Sequence, residues 1–297
     1  MTEAFAMTES NGSAESFGVR LRSAMTELGP LCAGIDPHPG LLAHWGLDES
    51  VAGLERFAMT CVEAFAGTVA VVKPQSAFFE RFGSAGVAVL ERTLAGLREA
   101  GTLSVLDVKR GDIGSTMAAY AQAYLSQDSP IRADAITVSP FLGFESLRPA
   151  MDLARQTGRG LFVLTLTSNP EGAEVQHALR DGRTVAGSIV DGVTSANASE
   201  AGRGVLGSTG MVVGATVGRA VHDLGLDLAG ANAPLLAPGV GAQGATAADL
   251  ATVFGTAMGN VLASSSREIL GTGPDGTALR AAARRTAEQL RVILSTS

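Results

Sequence analysis

The feature that most constrains the fold is a short apolar run ending in polar residues, which recurs eight times along the chain. The runs begin at Leu31, Val69, Leu103, Ala135, Leu161, Met211, Leu235 and Val261. Segments rich in alanine and leucine with helical spacing separate most of them, at intervals of roughly 25 to 40 residues. A strand that alternates with a helix returns to the same end of a sheet, so parallel strands are expected. Eight such units predict an α/β fold of the (β/α)8 TIM barrel type, with a doubly wound open sheet as the alternative.

One interval is longer than the others and sets the predicted domain organisation. The stretch from Ser168 to Gly210 is rich in glycine, serine, threonine and asparagine. It predicts an active-site loop, a helix and an insertion around residues 171–210. Residues 17–297 are therefore predicted to form a single catalytic barrel. The small and polar residues 1–16 are predicted to be a disordered N-terminal arm.

Charge and hydropathy exclude several classes of function. The net charge of −7 argues against a nucleic-acid surface. No apolar run reaches the ~18 residues that a membrane-spanning helix needs. The start of the chain lacks a basic region followed by an apolar one, so no secretion signal is indicated and a cytoplasmic location is expected. The two cysteines, Cys32 and Cys61, are predicted to be buried free thiols in the core.

The stretch Leu103–Thr116 carries the most conspicuous strand end. It begins as an apolar run suited to a buried strand, yet Asp107, Lys109 and Asp112 follow within a few residues. Side chains two apart in a strand share a face, so Asp107 and Lys109 are expected to point the same way. Asp112 lies in the turn before the next predicted helix. It is either the N-cap of that helix or a functional group.

Other runs also end in polar side chains, and barrel enzymes place their sites at that end. These side chains belong to Asp36, Lys73, Ser139, Ser168, Gln243 and Arg267. A single lysine at a strand end can simply extend to water. Two lysines and two aspartates at one barrel mouth predict more, because each carboxylate favours the charged form of its neighbour. Such a row can hold an ammonium group close to a developing carbanion without a metal.

The glycine-rich segment PGVGAQG, from Pro238 to Gly244, predicts a phosphate site formed by backbone N–H groups. Arg267, after the eighth run, is positioned to clamp the same phosphate. The glycines Gly239, Gly241 and Gly244 also match GxGxxG, which keeps an NADP-dependent oxidoreductase open. Too little chain follows Gly244 for the rest of a dinucleotide fold, which argues against that alternative. No metal-binding motif stands out around the four histidines.

Taken together, these residues resemble a known family. The segment LDVKRGDIGST, with Asp107, Lys109, Asp112 and Ile113, resembles the DxKxxDI signature of the orotidine 5′-phosphate decarboxylases. The segments GIDP, VVKPQ, LTSNP, PGVGAQG and SSSRE agree with that family in the same order. The resemblance extends from about Phe17 to the last helix and is greatest for the longer bacterial branch. Ser139 departs from the asparagine expected in that branch, which leaves position 139 without an assigned role.

The resemblance implies decarboxylation of orotidine 5′-monophosphate to UMP and CO2, the final step of de novo pyrimidine nucleotide synthesis, without a metal or cofactor. It implies that Lys109 protonates C6, while Asp107 lies against the substrate carboxylate and holds the lysines. The implied binding residues are Asp36 and Lys73 for the ribose, Ser168 for the pyrimidine, and Gln243 and Arg267 with Gly241 and Gly244 for the phosphate. Ile113 and Thr116 are also expected to be substrate-binding residues. Asp112 and Thr116 are expected to reach the active site of a second subunit, which makes the active unit a homodimer.

Two rival functions remain at this point. A metal-dependent sugar-phosphate decarboxylase or aldolase on a similar barrel shares the Asp-x-Lys-x-x-Asp spacing, and it would need magnesium. A barrel that only binds a phosphorylated ligand would bind UMP without converting orotidine 5′-monophosphate.

Overall fold

Eight parallel strands form a closed barrel in the computed structural model, which describes residues 15–240 and 245–295. The barrel strands follow one another around the ring in chain order, and the last pairs with the first. Their bounds are β1 Leu31–Ile35, β2 Val71–Pro74, β3 Leu103–Arg110, β4 Ala135–Val138, β5 Gly160–Leu166, β8 Thr209–Val213, β9 Leu235–Pro238 and β10 Val261–Ser265. Each corresponds to one of the eight apolar runs. The predicted (β/α)8 barrel is confirmed, and the open-sheet alternative is wrong.

Helices cover the outside of the barrel within the described part of the chain. The longer ones are α1 Phe17–Leu28, α3 Val51–Phe65, α5 Gly83–Glu99, α6 Gly114–Leu125, α7 Arg148–Thr157, α9 Val185–Ala196, α12 Ala247–Phe254 and α14 Gly276–Ser295. The short ones are α2 Pro39–His44, α4 Ala77–Glu80, α8 Gly172–Gln176, α10 Ala198–Gly202, α11 Ala220–Asp223 and α13 Arg267–Leu270, with 3₁₀ turns at Phe144–Leu147 and Gly255–Asn260. None of the helices in the described ranges is long and apolar enough to cross a membrane.

The strands are apolar on both faces because the barrel buries both. Val105 of β3 packs inside the ring, in the cluster that also contains Val71 and Phe162. Leu106 and Val108 face outwards into the larger cluster between strands and helices. This two-sided burial explains why the strands read as apolar runs instead of alternating patterns. Cys32 and Cys61 lie in these cores as free thiols, as expected.

Helix α1 covers the end of the barrel where the strands begin. Phe17 lies inside the ring against Phe162, with the two ring centroids 6.0 Å apart at nearly a right angle. A Cβ on Gly160 would lie 2.2 Å from the Phe17 ring, so this position has room only for glycine. Arg20 fastens the helix to the barrel through a 2.6 Å ion pair with Asp134. With the beginning of the strands covered, the opposite end is left for a site.

The long interval after β5 contains more structure than a loop. Helix α8 comes first, followed by an antiparallel hairpin formed by β6 Leu179–Arg180 and β7 Arg183–Thr184. Thr184 then caps α9 by accepting the backbone N–H of Gly187 at 3.0 Å. Helix α9 packs against β5 and β8, in the place of the helix of that barrel unit. Of the predicted N-terminal arm, residues 1–14 lie outside the described residues.

Candidate active site

Asp107, near the end of β3, is the centre of the candidate site. Its Oδ2 accepts a hydrogen bond from Lys73 Nζ at 3.1 Å, and its Oδ1 accepts one from Lys109 Nζ at 2.5 Å. Oδ1 also accepts the Thr137 hydroxyl at 2.8 Å. With its amide nitrogen turned inwards, Gln75 donates to Oδ2 at 2.7 Å. One carboxylate thus holds two ammonium groups from neighbouring strands.

Burial and charge act in opposite directions on this array. Burial alone would lower the pKa of Lys73, but the nearby Asp36 and Asp107 carboxylates raise it above its ordinary value. Burial would raise the pKa of Asp107, but Lys73 and Lys109 lower it to about 2. Asp107 is therefore ionised and Lys73 protonated at neutral pH. The Lys109 side chain is 47% exposed against 9% for Lys73, so Lys109 is the more accessible of the two ammonium groups.

The lowered pKa of Asp107 predicts a specific loss of stability in acid. Its ionised form stabilises the fold above about pH 4, and this contribution is lost as the pH falls towards about 2. Between pH 6 and pH 3, the free energy of unfolding of the wild type should fall by about 1 kcal/mol more than that of Asp107→Asn, which lacks this titration. Urea unfolding at each pH measures the difference. Parallel curves for the two proteins would contradict the electrostatic assignment. Lys73, with its raised pKa, loses its contribution only in alkali, above about pH 10.

A bulge in β3 brings Lys109 to this position. Leu106 pairs with Ile136 of β4 and Arg110 pairs with Val138, with an irregularity between them. Lys109 has a φ of 45°, in the left-handed region that residues with a side chain rarely adopt. The expectation that Asp107 and Lys109 point the same way is confirmed. The expected cause, regular alternation of side chains along a strand, is wrong. The bulge interrupts that alternation and turns the Lys109 side chain towards Asp107.

Beside the array, a cavity of about 380 Å³ opens at the carboxyl ends of the strands. The predicted site residues that line it are Asp36, Lys73, Asp107, Lys109, Ser168 and Arg267. Asp36 Oδ1 is buried without a hydrogen-bond partner among the described residues. Because buried carboxylate oxygens are costly to leave unpaired, this atom indicates where a ligand donor fits. The volume lies in the range of about 300–1,000 Å³ typical of small-molecule sites.

Several lining residues were missed by sequence reasoning. They are His38, Thr137, Thr167, Asn169, Ser264 and Ser266. Polar residues of these types are common at strand ends, so their identity alone is a weak signal. A stronger signal is the scarcity of lysine: Lys73 and Lys109 are the only lysines in the sequence, and the other 20 of the 22 basic residues are arginine. Lysine, as a compact ammonium that can transfer a proton, is not interchangeable with arginine.

Some predicted residues do not line this cavity. Asp112 does not cap α6, because Ile113 occupies the N-cap position and, among the described residues, Asp112 Oδ1 accepts only the N–H of Ile113, at 2.8 Å. Thr116 is exposed on the first turn of α6. Ser139 borders a neighbouring cavity whose exposed lining surface is mostly apolar, and its N–H donates to the Arg110 carbonyl at 2.8 Å. Gly111 packs on the Ser139 carbonyl so closely that a Cβ would lie 2.3 Å from the oxygen.

The predicted phosphate loop is described only at its two ends. Gly239 follows β9 with a φ of 98° and lines the cavity, and Val240 pairs with Ala245 at the base of the loop. The predicted residues Gly241, Gln243 and Gly244 lie outside the described residues. Since β9 belongs to a closed barrel, the GxGxxG spacing does not open a dinucleotide-binding sheet. Within 15–240 and 245–295, no group of three or more His, Cys, Asp or Glu side chains is arranged to hold a metal ion.

The chain forms a closed (β/α)8 barrel with a lysine–aspartate–lysine array at the carboxyl ends of its strands. These two features place the protein in the class of (β/α)8-barrel enzymes. The sequence profile of the orotidine 5′-phosphate decarboxylase / HUMPS family matches residues 29–282. The chain belongs to this family.

Similar proteins cover almost the whole chain. An orotidine 5′-phosphate decarboxylase of Streptomyces coelicolor is 61% identical over 285 residues, which are 95% of this chain and 100% of the relative. One from Salinispora arenicola is 62% identical over 95% of this chain and 100% of its own. A crystal structure from Streptomyces avermitilis, provisionally named as the same enzyme, has a TM-score of 0.90 at 60% identity and covers 96% of this chain and 98% of that one.

Proposed function

We propose that this protein decarboxylates orotidine 5′-monophosphate to UMP and CO2, the last step of de novo pyrimidine nucleotide synthesis, in the cytoplasm. The observation that carries the proposal is the pair of ammonium groups held by Asp107 at the edge of a cavity of small-molecule size. Curated relatives at about 60% identity, matched over their full length, bear the name of this enzyme. The metal-dependent sugar-phosphate rival has no comparable support.

Lys109 is the proposed proton donor. When the bond between C6 and the carboxylate carbon breaks, CO2 leaves and the electron pair remains on C6. Lys109 Nζ transfers a proton to that carbon, and solvent then restores the proton on the amine. A charge pair about 4 Å apart at an effective dielectric of 20 is worth about 4 kcal/mol, roughly a thousandfold in rate. Charge stabilisation by Lys109 is therefore a large contribution, but it does not account for the whole acceleration of an enzyme.

The remaining acceleration is proposed to come from binding far from C6. Asp36 and Lys73 are assigned to the ribose, and the buried unpaired Oδ1 of Asp36 supports this, since a ribose hydroxyl would satisfy it. Ser168 is assigned to the pyrimidine on the family resemblance, and its place in the lining of the same cavity supports this. The phosphate is assigned to Arg267 together with Gln243 and the loop glycines Gly241 and Gly244. Binding energy at the phosphate would drive loop closure over the site.

The proposed reaction needs no metal and no cofactor, because the ammonium groups supply the positive charge. The decisive assay follows the absorbance of orotidine 5′-monophosphate at neutral pH with EDTA present. We expect the substrate absorbance to disappear and UMP to form at an unchanged rate. Activity only with added magnesium would favour the sugar-phosphate class, whereas UMP binding without turnover would indicate a non-catalytic barrel.

A homodimer is the proposed active unit, with Asp112 and Thr116 completing the site of the other subunit. Neither residue lines the cavity of its own chain. The loops after β3 and β4 meet where Gly111 packs on the Ser139 carbonyl, and they carry large exposed apolar side chains: Ile113 at 61%, Phe141 at 76% and Leu142 at 52% exposure. Apolar groups exposed together in this way are typical of protein interfaces.

Subunit complementation tests the shared site. Asp112→Ala and Lys109→Ala should each be inactive as homodimers. If the variants are mixed and allowed to exchange subunits, about a quarter of wild-type activity should return, because half of the dimers are hybrids with one intact site. Mixing Lys73→Ala with Lys109→Ala is the matched control and should restore nothing, since both side chains belong to the same site. Equal recovery in the two mixtures, or none in the first, would argue against a contribution of Asp112 across subunits.

A further inference from the structure

Thr137 of β4 makes three hydrogen bonds to three consecutive residues of β3. Its hydroxyl oxygen accepts the backbone N–H groups of Val108 at 3.0 Å and Lys109 at 2.9 Å. The same hydroxyl donates its proton to Asp107 Oδ1 at 2.8 Å. The residue is 1% exposed, so water cannot replace these bonds. One buried side chain thus connects the carboxylate, the bulge and the backbone of Lys109.

The bulge explains why a side chain is needed there. Between the pairs Leu106–Ile136 and Arg110–Val138, residues 107 to 109 of β3 lie opposite Thr137 alone. A bulge leaves backbone groups without their partners in the ladder. The Thr137 hydroxyl takes the place of the missing carbonyl acceptor for Val108 and Lys109. Lys109 can therefore keep its left-handed backbone conformation, with a φ of 45°, without buried unpaired N–H groups.

We infer that Thr137 is a positioning residue that sets the Lys109 ammonium against Asp107 for proton transfer. The inference rests on the proposed function, because it concerns the placement of the proposed proton donor. Thr137 lines the cavity, but its role is to act through Asp107 and Lys109. Asp107 Oδ1 accepts hydrogen bonds from both the Thr137 hydroxyl and the Lys109 ammonium group, so the three side chains form a short hydrogen-bonded chain. The orientation of the carboxylate and the direction of the lysine are then fixed together.

Thr137→Val tests this, because valine has nearly the same shape and lacks the hydroxyl. We expect kcat to fall about 10- to 100-fold with KM changed less than about threefold, since a displaced donor weakens the transition state more than ground-state binding. Thr137→Ser keeps the hydroxyl and should retain most of the wild-type kcat. Thr137→Ala removes the hydroxyl without valine's bulk, so it provides the same test if the valine variant does not fold.

Thr165→Val is the matched control for a purely structural loss. Thr165 is fully buried in β5, and its hydroxyl bonds only to the Val163 carbonyl among the described residues, outside the cavity. This variant also loses a buried threonine hydroxyl from a barrel strand, and it should keep kcat. If Thr165→Val lowered kcat as much as Thr137→Val, the positioning role would be overturned.

A spectroscopic readout separates this inference from the proposed function. Because the chain has two lysines, protein labelled with ¹³Cε-lysine gives one signal for Lys73 and one for Lys109. In the free enzyme, Thr137→Val should shift or broaden the Lys109 signal, and Thr165→Val should not. An unchanged Lys109 signal together with an unchanged kcat would overturn the inference. A perturbed Lys109 signal in a protein whose wild type does not decarboxylate orotidine 5′-monophosphate would instead refute the proposed function and leave the positioning contact standing.

Discussion

Lys109→Ala is expected to lower kcat by at least about 10⁴-fold while the Kd for UMP changes only a few-fold. The change removes both the charge that stabilises the carbanion, worth roughly a thousandfold, and the acid that quenches it, worth ~10²- to 10⁴-fold. The protein should remain folded, because the Lys109 side chain is half exposed and Asp107 keeps its bond to Lys73. Stopped assays for UMP and calorimetric titration with UMP measure the two quantities.

Two further variants make this test specific. Lys109→Arg retains a positive charge but cannot give up a proton near neutral pH, so its kcat should lie above that of the alanine variant and still about 10²- to 10⁴-fold below the wild type. Arg148→Ala removes a cation from an exposed ion pair with Glu145 and should keep full activity. If Lys109→Ala lost UMP binding and thermal stability together with activity, the lysine would be structural and the assignment as proton donor would be wrong.

Removal of the substrate phosphate is expected to produce the second large effect. Orotidine without its phosphate should be decarboxylated with a kcat/KM lower by about 10⁴-fold or more, because two or three charge-assisted hydrogen bonds at ~1.5 to 3 kcal/mol each are lost. The reacting carbon is unchanged, so the loss measures binding energy used at a distance. Turnover of orotidine at the full kcat/KM would contradict this account.

Arg267→Ala provides the matching change on the protein side. Arg267 lines the cavity near Gly239, at the base of the predicted phosphate loop. The variant should lose about 10²- to 10³-fold in kcat/KM for orotidine 5′-monophosphate. It should lose little for orotidine, because orotidine has no phosphate for Arg267 to contact. A similar loss for both substrates would place Arg267 elsewhere in the mechanism.

The positions of the two main charged residues could be predicted because they depend on local pattern. Asp107 and Lys109 end an apolar run, and parallel strands of a barrel bring such ends to one mouth whatever their sequence separation. Lys73 followed from the same reasoning, and it meets Asp107 at 3.1 Å across 34 positions of the chain. Asp36, Ser168 and Arg267 reach the same cavity for the same reason.

Thr137 could not be predicted as part of the site. Its role depends on a bulge in another strand, and a bulge adds residues without a clear sequence signal. Asp112 is the reverse case, a residue whose type and position in the sequence suggested a role that the structure does not show. It suited an N-cap, yet Ile113 occupies the N-cap position of α6. Such choices depend on how two strands and a turn pack against each other, which spacing along one chain does not encode.

The sequence by itself determined the strand count, the parallel order and the end of the barrel at which charge collects, because hydrophobic periodicity and the position of polar residues are local properties. Only the tertiary structure decided how those charges meet. The left-handed backbone of Lys109 and the hydrogen bonds of the Thr137 hydroxyl to Lys109 and Asp107 depend on how β3 and β4 pack against each other. The physical reason is that hydrogen bonds and ion pairs in a buried site depend steeply on distance and angle, whereas burial of apolar surface does not.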